Sequence, residues 1–323
     1  MPRPRNQLIS LDETPFYHCV SRCVRRAYLC GEDIHSGQSY EHRRAWLERL
    51  LLLASDVFAI KICSYAIMSN HYHVVLHVRP DIAKTWSDLE VVERWHRLFN
   101  GTRESSLFLA GEQLTRSDEI ALNPLILLWR ERLTSISWLM RVVNERIARK
   151  ANQEDDCTGS FWESRFKSQA LLDQQALLAC MAYVDLNPIR AGIASKLNRS
   201  TYTSIAKRLL TLNHHRKLPN CLEPFVGYNA NAIGIPFELD EYIVLLEWTV
   251  DIVFPRMSCA ESKKTPKIIG SFNIQVDAWQ VLTTQFEERF SAWVGSEHIV
   301  HDLYARKNYQ RIPSTQSSRT LLS

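Results

Sequence analysis

Two histidines separated by one residue occupy the part of the sequence best suited to bind a metal ion. Residues 69–78 read Ser-Asn-His-Tyr-His-Val-Val-Leu-His-Val, which predicts a β-strand that begins at His71. Because side chains alternate along a strand, His71, His73 and His77 share one face. Neutral imidazoles two positions apart can bind a single metal ion. A polar sheet face that merely contains histidines is the alternative interpretation, and this segment by itself does not exclude it.

A tyrosine and an asparagine four residues apart form a second candidate group. Residues 183–192 read Tyr-Val-Asp-Leu-Asn-Pro-Ile-Arg-Ala-Gly. Tyr183 and Asn187 share one face of a helix, since four residues make about one turn. A phenol beside an amide oxygen would place a nucleophile next to a metal ligand. Alternatively, Asn187 caps the turn that begins with Pro188, and Tyr183 is a packing residue.

Hydrophobic periodicity predicts the elements that position both groups. Strands are expected at residues 16–21, 60–67, 71–78 and 161–169, and core helices at about 43–55, 135–152 and 173–186. The order is β-α-β-β-α-β plus a C-terminal helix that carries Tyr183. This order predicts an α+β, ferredoxin-like fold, in which helices pack on one face of an antiparallel sheet.

Two segments lie outside this frame. Residues 79–134 are predicted to be a helical insertion, with a helix at about 85–100. The pattern changes after Gly192, and residues 196–305 are predicted to form a mostly helical C-terminal extension with helices near 239–254 and 276–293. The domain with the candidate residues would span 1–195, interrupted by 79–134, and residues 306–323 would be a flexible tail.

Composition excludes several classes of protein. The chain has 323 residues, of which 46% are hydrophobic and 23% charged, enough for one large or two ordinary domains and unlike a disordered chain. A run of about 18 apolar residues is absent. The first residues, Met-Pro-Arg-Pro-Arg-Asn, lack the apolar stretch of a signal peptide. We therefore expect a cytoplasmic protein that does not span a membrane.

The cysteines and the net charge are less informative. Eight cysteines form no Cys-x-x-Cys pair, which favours reduced structural thiols in a cytoplasmic chain. A zinc site at His18 with Cys23 and Cys30 lacks the usual ligand spacing. The net charge of +4 is too small to indicate a nucleic-acid partner by itself.

Three motifs, in this order, resemble those of REP-associated tyrosine transposases, which belong to the HUH superfamily of single-strand nucleases. They are the strand with His71 and His73, the stretch Gly-Ser-Phe-Trp-Glu-Ser-Arg-Phe-Lys-Ser at 159–168, and the Tyr-x-x-x-Asn-Pro-x-Arg-Ala-Gly segment at 183–192. The resemblance covers residues 10–195 without the insertion. This chain departs from the family in Ser69 where proline is common, in the bulky Tyr72, and in the size of the insertion.

The resemblance implies a site and a reaction. Tyr183 would be the nucleophile, and His71, His73 and Asn187 would bind a divalent metal ion, Mg²⁺ or Mn²⁺. The protein would cleave and rejoin single-stranded DNA, at hairpins formed by palindromic repeats, through a 5′-phosphotyrosine and a free 3′-OH. It would be associated with DNA in the bacterial cytoplasm. One tyrosine holds one DNA end at a time, so a monomer and a homodimer both stay open.

Basic residues are the expected DNA contacts. Arg165 and Lys167 share one face of the predicted strand at 161–169 and would contact phosphates, whereas Trp162 on the other face is expected in the core. Arg3 and Arg5 lie in an N-terminal arm, which in relatives helps to read DNA next to the hairpin. Simple solvation of these side chains is the alternative.

Two other functions are compatible with the same residues. The chain could be a DNA-binding protein without catalytic activity, a repressor or structural factor that keeps the fold. It could also be a metallohydrolase that uses metal-bound water instead of Tyr183. The presence of His71, His73, Tyr183 and Asn187 favours the transposase, because binding DNA requires none of them.

Overall fold

A computed structural model describes residues 8–24, 29–32, 37–229, 231–253, 264–307 and 315–322. The strands in these ranges are Phe16–Arg22 (β1), Ile60–Ile67 (β2), His71–Val78 (β3), Lys167–Leu171 (β4) and Trp293–Val294 (β5). The α-helices of the first two thirds are His42–Val57 (α1), Pro80–Thr85 (α2), Asp88–His96 (α3), Arg103–Leu109 (α4), Arg116–Arg132 (α5), Ile136–Glu154 (α6), Gln174–Asp185 (α7), Asn187–Arg190 (α8) and Ser204–Asn213 (α9). Those that follow are Leu239–Val253 (α10), Lys267–Ser271 (α11), Val276–Arg289 (α12), Glu297–Arg306 (α13) and Gln316–Leu321 (α14). None of these helices is long and apolar enough to cross a membrane.

The sheet has the strand order β2-β3-β1-β4-β5. The pairs β2–β3, β3–β1 and β1–β4 are antiparallel. Because α1 connects β1 to β2 and α6 connects β3 to β4, these elements form the predicted β-α-β-β-α-β arrangement, and the α+β fold class is confirmed. The structure adds one strand that was not predicted, because β5 from the C-terminal extension joins one edge of the sheet and pairs with β4 in parallel.

Each face of the sheet carries its own hydrophobic cluster, and this follows from the alternation of side chains along β3. Tyr72, Val74 and Leu76 pack against α1 and α6 on one face. Val75, which shares the histidine face, packs against α7 instead. The expectation of helices on one face only is therefore incomplete, because α7 covers the face that carries His71 and His73.

Helix α7 is buried on nearly all sides, which explains its apolar sequence. All residues from Ala176 to Asp185 are buried, as expected for a helix that is hydrophobic all round. The carboxylate of Asp173 accepts a hydrogen bond from the backbone N–H of Ala176 at 2.8 Å and caps the first turn. The helix ends at Asp185, and Pro188 lies in the first turn of the short helix α8, where its missing N–H costs no hydrogen bond.

Three predicted segments differ from the structure. The strand expected at 161–169 begins only at Lys167. Residues Tyr17 to Val20 of β1 pair with β4, and residues 161–166 have no continuous partner strand in the described ranges. Trp162 is nevertheless in the core, as predicted. The insertion contains the four helices α2–α5 instead of one helix at 85–100. The tail predicted to be flexible includes α14, and the side chain of Leu322 after it is fully buried.

A buried carboxylate links α7 to the extension. Asp185 accepts hydrogen bonds from the hydroxyl of Ser204 at 2.6 Å, the backbone N–H of Ile205 at 3.2 Å and the hydroxyl of Tyr242 at 2.8 Å. Burial raises the pKa of Asp185 from 3.8 to about 6, although the hydrogen bonds from Ser204 and Tyr242 oppose the shift. A raised pKa of an acid means that the folded state binds the proton more tightly than the unfolded state does. The protonated carboxyl of Asp185 therefore contributes stability below pH 3.8, and this stability is lost as pH rises through 6.

We expect Asp185→Asn, which resembles the protonated carboxyl, to stabilise the protein at pH 7 but not at pH 4. The gain in the free energy of unfolding at pH 7 should approach about 3 kcal/mol at most, since one pKa unit corresponds to about 1.4 kcal/mol. Urea unfolding of both proteins at the two pH values measures it. Asp302→Asn, at an exposed position, controls for the loss of one charge. A stability difference that does not change with pH would contradict the raised pKa.

Candidate active site

Strand β3 and helix α7 bring together three of the residues that the sequence singles out. The rings of His71 and His73 lie with their centroids 4.8 Å apart and almost perpendicular, at 81°. The ring of His73 lies 5.6 Å from that of Tyr183, at 90°. Because β3 and α7 are separated by about 100 residues of chain, this convergence is a property of the fold and not of local sequence.

Tyr183 is nearly buried, with 7% of its surface exposed. Burial raises the pKa of its hydroxyl to about 12, and the positive charge of Arg190 opposes this shift. The Tyr183 hydroxyl also interacts with the side chain of Arg190, and this interaction favours the charged form of the guanidinium. The phenol is thus protonated at neutral pH and lies next to a cation.

Arg190 is a site residue to which the sequence analysis assigned no role. Its guanidinium carbon lies 4.1 Å from the centroid of the Tyr183 ring, a distance at which a cation is attracted to an aromatic face. The same side chain donates hydrogen bonds to the backbone carbonyls of Tyr183 at 3.3 Å and Thr283 at 2.9 Å. The sequence feature that could have identified Arg190 is its place in the 183–192 motif, one turn beyond Asn187.

Asn187 does not act as the helix cap that was the alternative interpretation. It is the first residue of α8, the N-cap position belongs to Leu186, and no side-chain hydrogen bond caps the helix. The Asn187 side chain is 4% exposed, and its amide nitrogen is buried without a hydrogen-bond partner among the described residues. Its amide is therefore not committed to holding the turn.

The residues present fit a divalent metal ion in donor type. The Nε2 atom of His73 is buried without a hydrogen-bond partner among the described residues, and an unpaired buried polar atom costs about 1–3 kcal/mol. A bound cation would relieve that cost at an imidazole nitrogen. Within the described ranges no group of three or more His, Cys, Asp or Glu side chains is arranged to hold a metal. A site at His71 and His73 would therefore need an amide oxygen, water or a phosphate oxygen as well.

Burial keeps the site histidines neutral, the form that binds metals. Burial is the main cause that lowers the pKa of His71, to about 4, and the charge of Arg22 adds to it. Burial also lowers the pKa of His73 well below its ordinary value. The Nδ1 atom of His71 lies 2.6 Å from the side-chain oxygen of Asn70, so the turn before β3 contacts the imidazole of His71.

A third imidazole, which the sequence analysis considered only as a zinc ligand with cysteines, adjoins His73. Nε2 of His18 lies 3.0 Å from Nδ1 of His73, and Nδ1 of His18 lies 2.8 Å from Oε1 of Gln169. Burial is the main cause that lowers the pKa of His18. The thiol of Cys30 donates to the backbone carbonyl of Met68 instead of approaching His18. The remaining histidine of the strand, His77, stacks on Phe16 with ring centroids 4.2 Å apart.

A cavity of about 560 Å³ opens beside His18, and two predicted DNA contacts line it. Its wall includes His18, Arg165, Phe166, Lys167, Gln169, Glu287 and Phe290. Arg165 and Lys167 are both exposed, and the Lys167 ammonium lies 3.2 Å from a carboxylate oxygen of Glu287. The other two predicted DNA contacts, Arg3 and Arg5, lie outside the described residues.

Helix α12 of the extension covers the tyrosine. The fully buried ring of Phe286 lies 5.8 Å from the ring of Tyr183 and 6.2 Å from that of His18. The helix is kinked next to this residue, at Gln285, whose φ of −127° and ψ of 20° are not helical. Helix α12 therefore contributes to the burial of the Tyr183 ring.

Comparison with known proteins adds little at the level of sequence. No protein-family model and no curated protein matches the chain. Among solved structures, the chain is similar to one described as "Structure of the REP associates tyrosine transposase bound to a REP hairpin", with 9% identity and a TM-score of 0.38. The match covers 72% of this chain and 98% of that one. At this level of likeness, function rests on the geometry of the site itself.

Proposed function

We propose that the protein is a metal-dependent transposase that cleaves and rejoins single-stranded DNA through a phosphotyrosine at Tyr183. One observation carries the proposal. The ring of Tyr183 lies 5.6 Å from the imidazole of His73, whose buried Nε2 has no hydrogen-bond partner among the described residues. Binding of DNA alone requires neither group, whereas covalent cleavage of a phosphodiester uses both.

His71, His73 and Asn187 are the proposed metal ligands. Two imidazoles and an amide oxygen suit Mg²⁺ or Mn²⁺, and Mn²⁺ tolerates histidine better. A divalent ion held there would polarise the scissile phosphodiester and orient it for in-line attack. The approach of β3 to α7 supports this assignment, because the ring of His73 lies 5.6 Å from that of Tyr183 and 4.8 Å from that of His71.

Tyr183 carries the covalent chemistry in this proposal. Its hydroxyl oxygen attacks the phosphorus, the bond to the 3′ oxygen breaks, and the DNA is left with a free 3′-OH and a 5′-phosphotyrosine. The phenol loses its proton as it attacks, the departing 3′ oxygen takes up a proton to become the 3′-OH, and the neighbouring Arg190 guanidinium stabilises the negative charge that develops. Because the phosphotyrosine retains the bond energy, a second 3′-OH can reverse the step without ATP.

The cavity beside His18 is the proposed path of the single strand, and hairpins of palindromic repeats are the proposed substrate. Arg165 and Lys167 would contact backbone phosphates at its rim. Arg3 and Arg5 are proposed to contact DNA next to the hairpin. A phosphate near Lys167 would compete with Glu287 for the ammonium.

We expect the double variant Arg165→Ala, Lys167→Ala to weaken binding of single-stranded DNA and to flatten its salt dependence. Each lost phosphate contact reduces the slope of log K against log salt by about 0.7 for single strands. Fluorescence anisotropy over a salt series measures both effects. The control is the double variant Arg49→Ala, Arg141→Ala. It removes the same charge from exposed positions on α1 and α6, which lie on the opposite face of the sheet. Equal slopes for the two double variants would contradict the assignment.

A DNA-binding protein without catalytic activity is the second candidate, and the cover of Phe286 over Tyr183 favours it. Covalent trapping separates the two. The protein is incubated with Mn²⁺ and single-stranded oligonucleotides copied from palindromes next to its own gene, and a denaturing gel reveals any adduct. An adduct supports the transposase. Tight hairpin binding with neither adduct nor cleavage supports the second candidate.

A further inference from the structure

We propose that His18 and Gln169 are positioning residues that fix the tautomer of His73, with its hydrogen on Nδ1 and a lone pair on Nε2. The inference rests on the proposed role of His73 as a metal ligand. The three side chains lie on three neighbouring strands, β4, β1 and β3, and His18 is directly opposite Gln169 in the β1–β4 register. The chain of hydrogen bonds therefore crosses the sheet.

The orientation of the Gln169 amide is fixed by its own partners. Its Nε2 donates to the backbone carbonyl oxygens of Phe290 at 2.8 Å and Ser291 at 3.0 Å. A carbonyl oxygen only accepts hydrogen bonds, so the NH₂ group must lie on that side. The amide oxygen therefore faces His18, at 2.8 Å from Nδ1. Since this oxygen cannot donate, Nδ1 of His18 carries the hydrogen.

The tautomer of His18 determines the tautomer of His73. His18 has no exposed surface, and within the described chain its ring nitrogens bond to an amide oxygen and another imidazole and to no carboxylate, so a positive charge there would lack a directly bonded counter-ion. A neutral ring with its hydrogen on Nδ1 has a bare Nε2, which accepts. The contact of 3.0 Å between Nε2 of His18 and Nδ1 of His73 is then a hydrogen bond donated by His73.

The consequence is an imidazole prepared for a ligand. With its hydrogen on Nδ1, His73 has a lone pair on Nε2, the buried atom that has no partner among the described residues. Partners of this kind orient metal-binding histidines and raise their basicity, and their loss lowers metal affinity about 10–100-fold. His71 has a similar but exposed partner in Asn70, which water can replace.

The C-terminal extension completes this arrangement. The carbonyls that orient Gln169 belong to Phe290 and Ser291, in the segment between α12 and β5. The pairing of β5 with β4 holds that segment against the sheet. The tautomer of His73 thus depends on residues about 120 positions beyond Gln169, outside the domain that the sequence delimits.

Nitrogen-15 NMR of the full-length protein, labelled at histidine and free of metal, tests the tautomer directly at neutral pH. The spectrum should show His73 with hydrogen on Nδ1 in the wild type. His18→Leu and Gln169→Leu should give a mixture of tautomers or hydrogen on Nε2. His18→Gln should restore the wild-type state, because its amide can donate to Gln169 and accept from His73. A wild-type His73 with hydrogen on Nε2 would overturn the inference, and this observation needs no variant.

Binding of Mn²⁺ alone, followed by electron paramagnetic resonance, provides the second readout. We expect dissociation constants about 10–100-fold higher for His18→Leu and Gln169→Leu, and near the wild-type value for His18→Gln. Asn70→Ala should change affinity by about twofold or less, since water replaces an exposed acceptor. Unchanged tautomer and Mn²⁺ affinity in His18→Leu, with folding verified by circular dichroism, would overturn the inference. The expected tautomer and Mn²⁺ binding without any DNA adduct would refute the transposase while leaving the positioning role intact.

Discussion

We expect Tyr183→Phe to abolish formation of the covalent protein–DNA product, with a loss of more than about 10³-fold in rate, because the proposed covalent nucleophile is removed. Binding of hairpin DNA should stay near normal, because the phenyl ring keeps its contact with Arg190 and its place against Phe286. The free energy of unfolding should change by about 1 kcal/mol or less, the contribution of the hydroxyl's interaction with Arg190. A denaturing gel, a binding titration and urea unfolding measure the three effects.

A matched control comes from another tyrosine of the chain. Tyr228 is exposed, and its hydroxyl donates to Glu241 in the extension. Tyr228→Phe should leave adduct formation at the wild-type level. Cleavage that persists in Tyr183→Phe would defeat the covalent mechanism and favour a hydrolase that uses water.

The double variant His71→Ala, His73→Ala is expected to lose both Mn²⁺ binding and metal-dependent cleavage. Removal of both imidazoles leaves Asn187 as the single proposed protein ligand, and an amide oxygen alone binds a divalent ion too weakly to compete with water. Cleavage should fall below detection, by more than about 10³-fold, if the metal supplies several kcal/mol of transition-state stabilisation. Adduct yield and Mn²⁺ paramagnetic resonance are the measurements.

His77→Ala is the matched control for this loss. His77 lies on the same face of β3, but its ring stacks on Phe16 and its Nδ1 is 3.2 Å from Glu223. This variant should retain Mn²⁺ affinity and cleavage. If the His71→Ala, His73→Ala protein kept its metal-dependent activity, the assigned metal ligands would be wrong.

The sequence predicted the central strands well because their signals are local. Strands β2 and β3 begin and end where hydrophobic alternation and the Ser69–Asn70 turn indicate. Residues 161–166 have the composition of a strand, yet they make only isolated pairing contacts in the described chain, such as Glu163 N–H to the carbonyl of Arg22 at 2.8 Å, so β4 starts at Lys167. Strand formation depends on pairing as much as on propensity, and pairing is a long-range property.

The candidate site was predictable in part for the same reason. The positions of His71, His73 and Tyr183 follow from periodicity within single elements, and the fold brings their rings together. Gln169, His18 and Arg190 gain their roles through contacts with distant segments, including the carbonyls of Phe290 and Ser291. The parallel pairing of β5 and the cover of Phe286 over Tyr183 likewise depend on tertiary packing.

Identification of the residue joined to DNA tests the central claim most directly. The protein is reacted with Mn²⁺ and a hairpin oligonucleotide, digested with protease and nuclease, and analysed by tandem mass spectrometry. We predict a nucleotide attached through its 5′-phosphate to Tyr183, in the peptide that contains the 183–192 motif, together with a released strand that ends in a free 3′-OH. A DNA linkage at any other residue, or cleavage products without a protein linkage, would contradict the account.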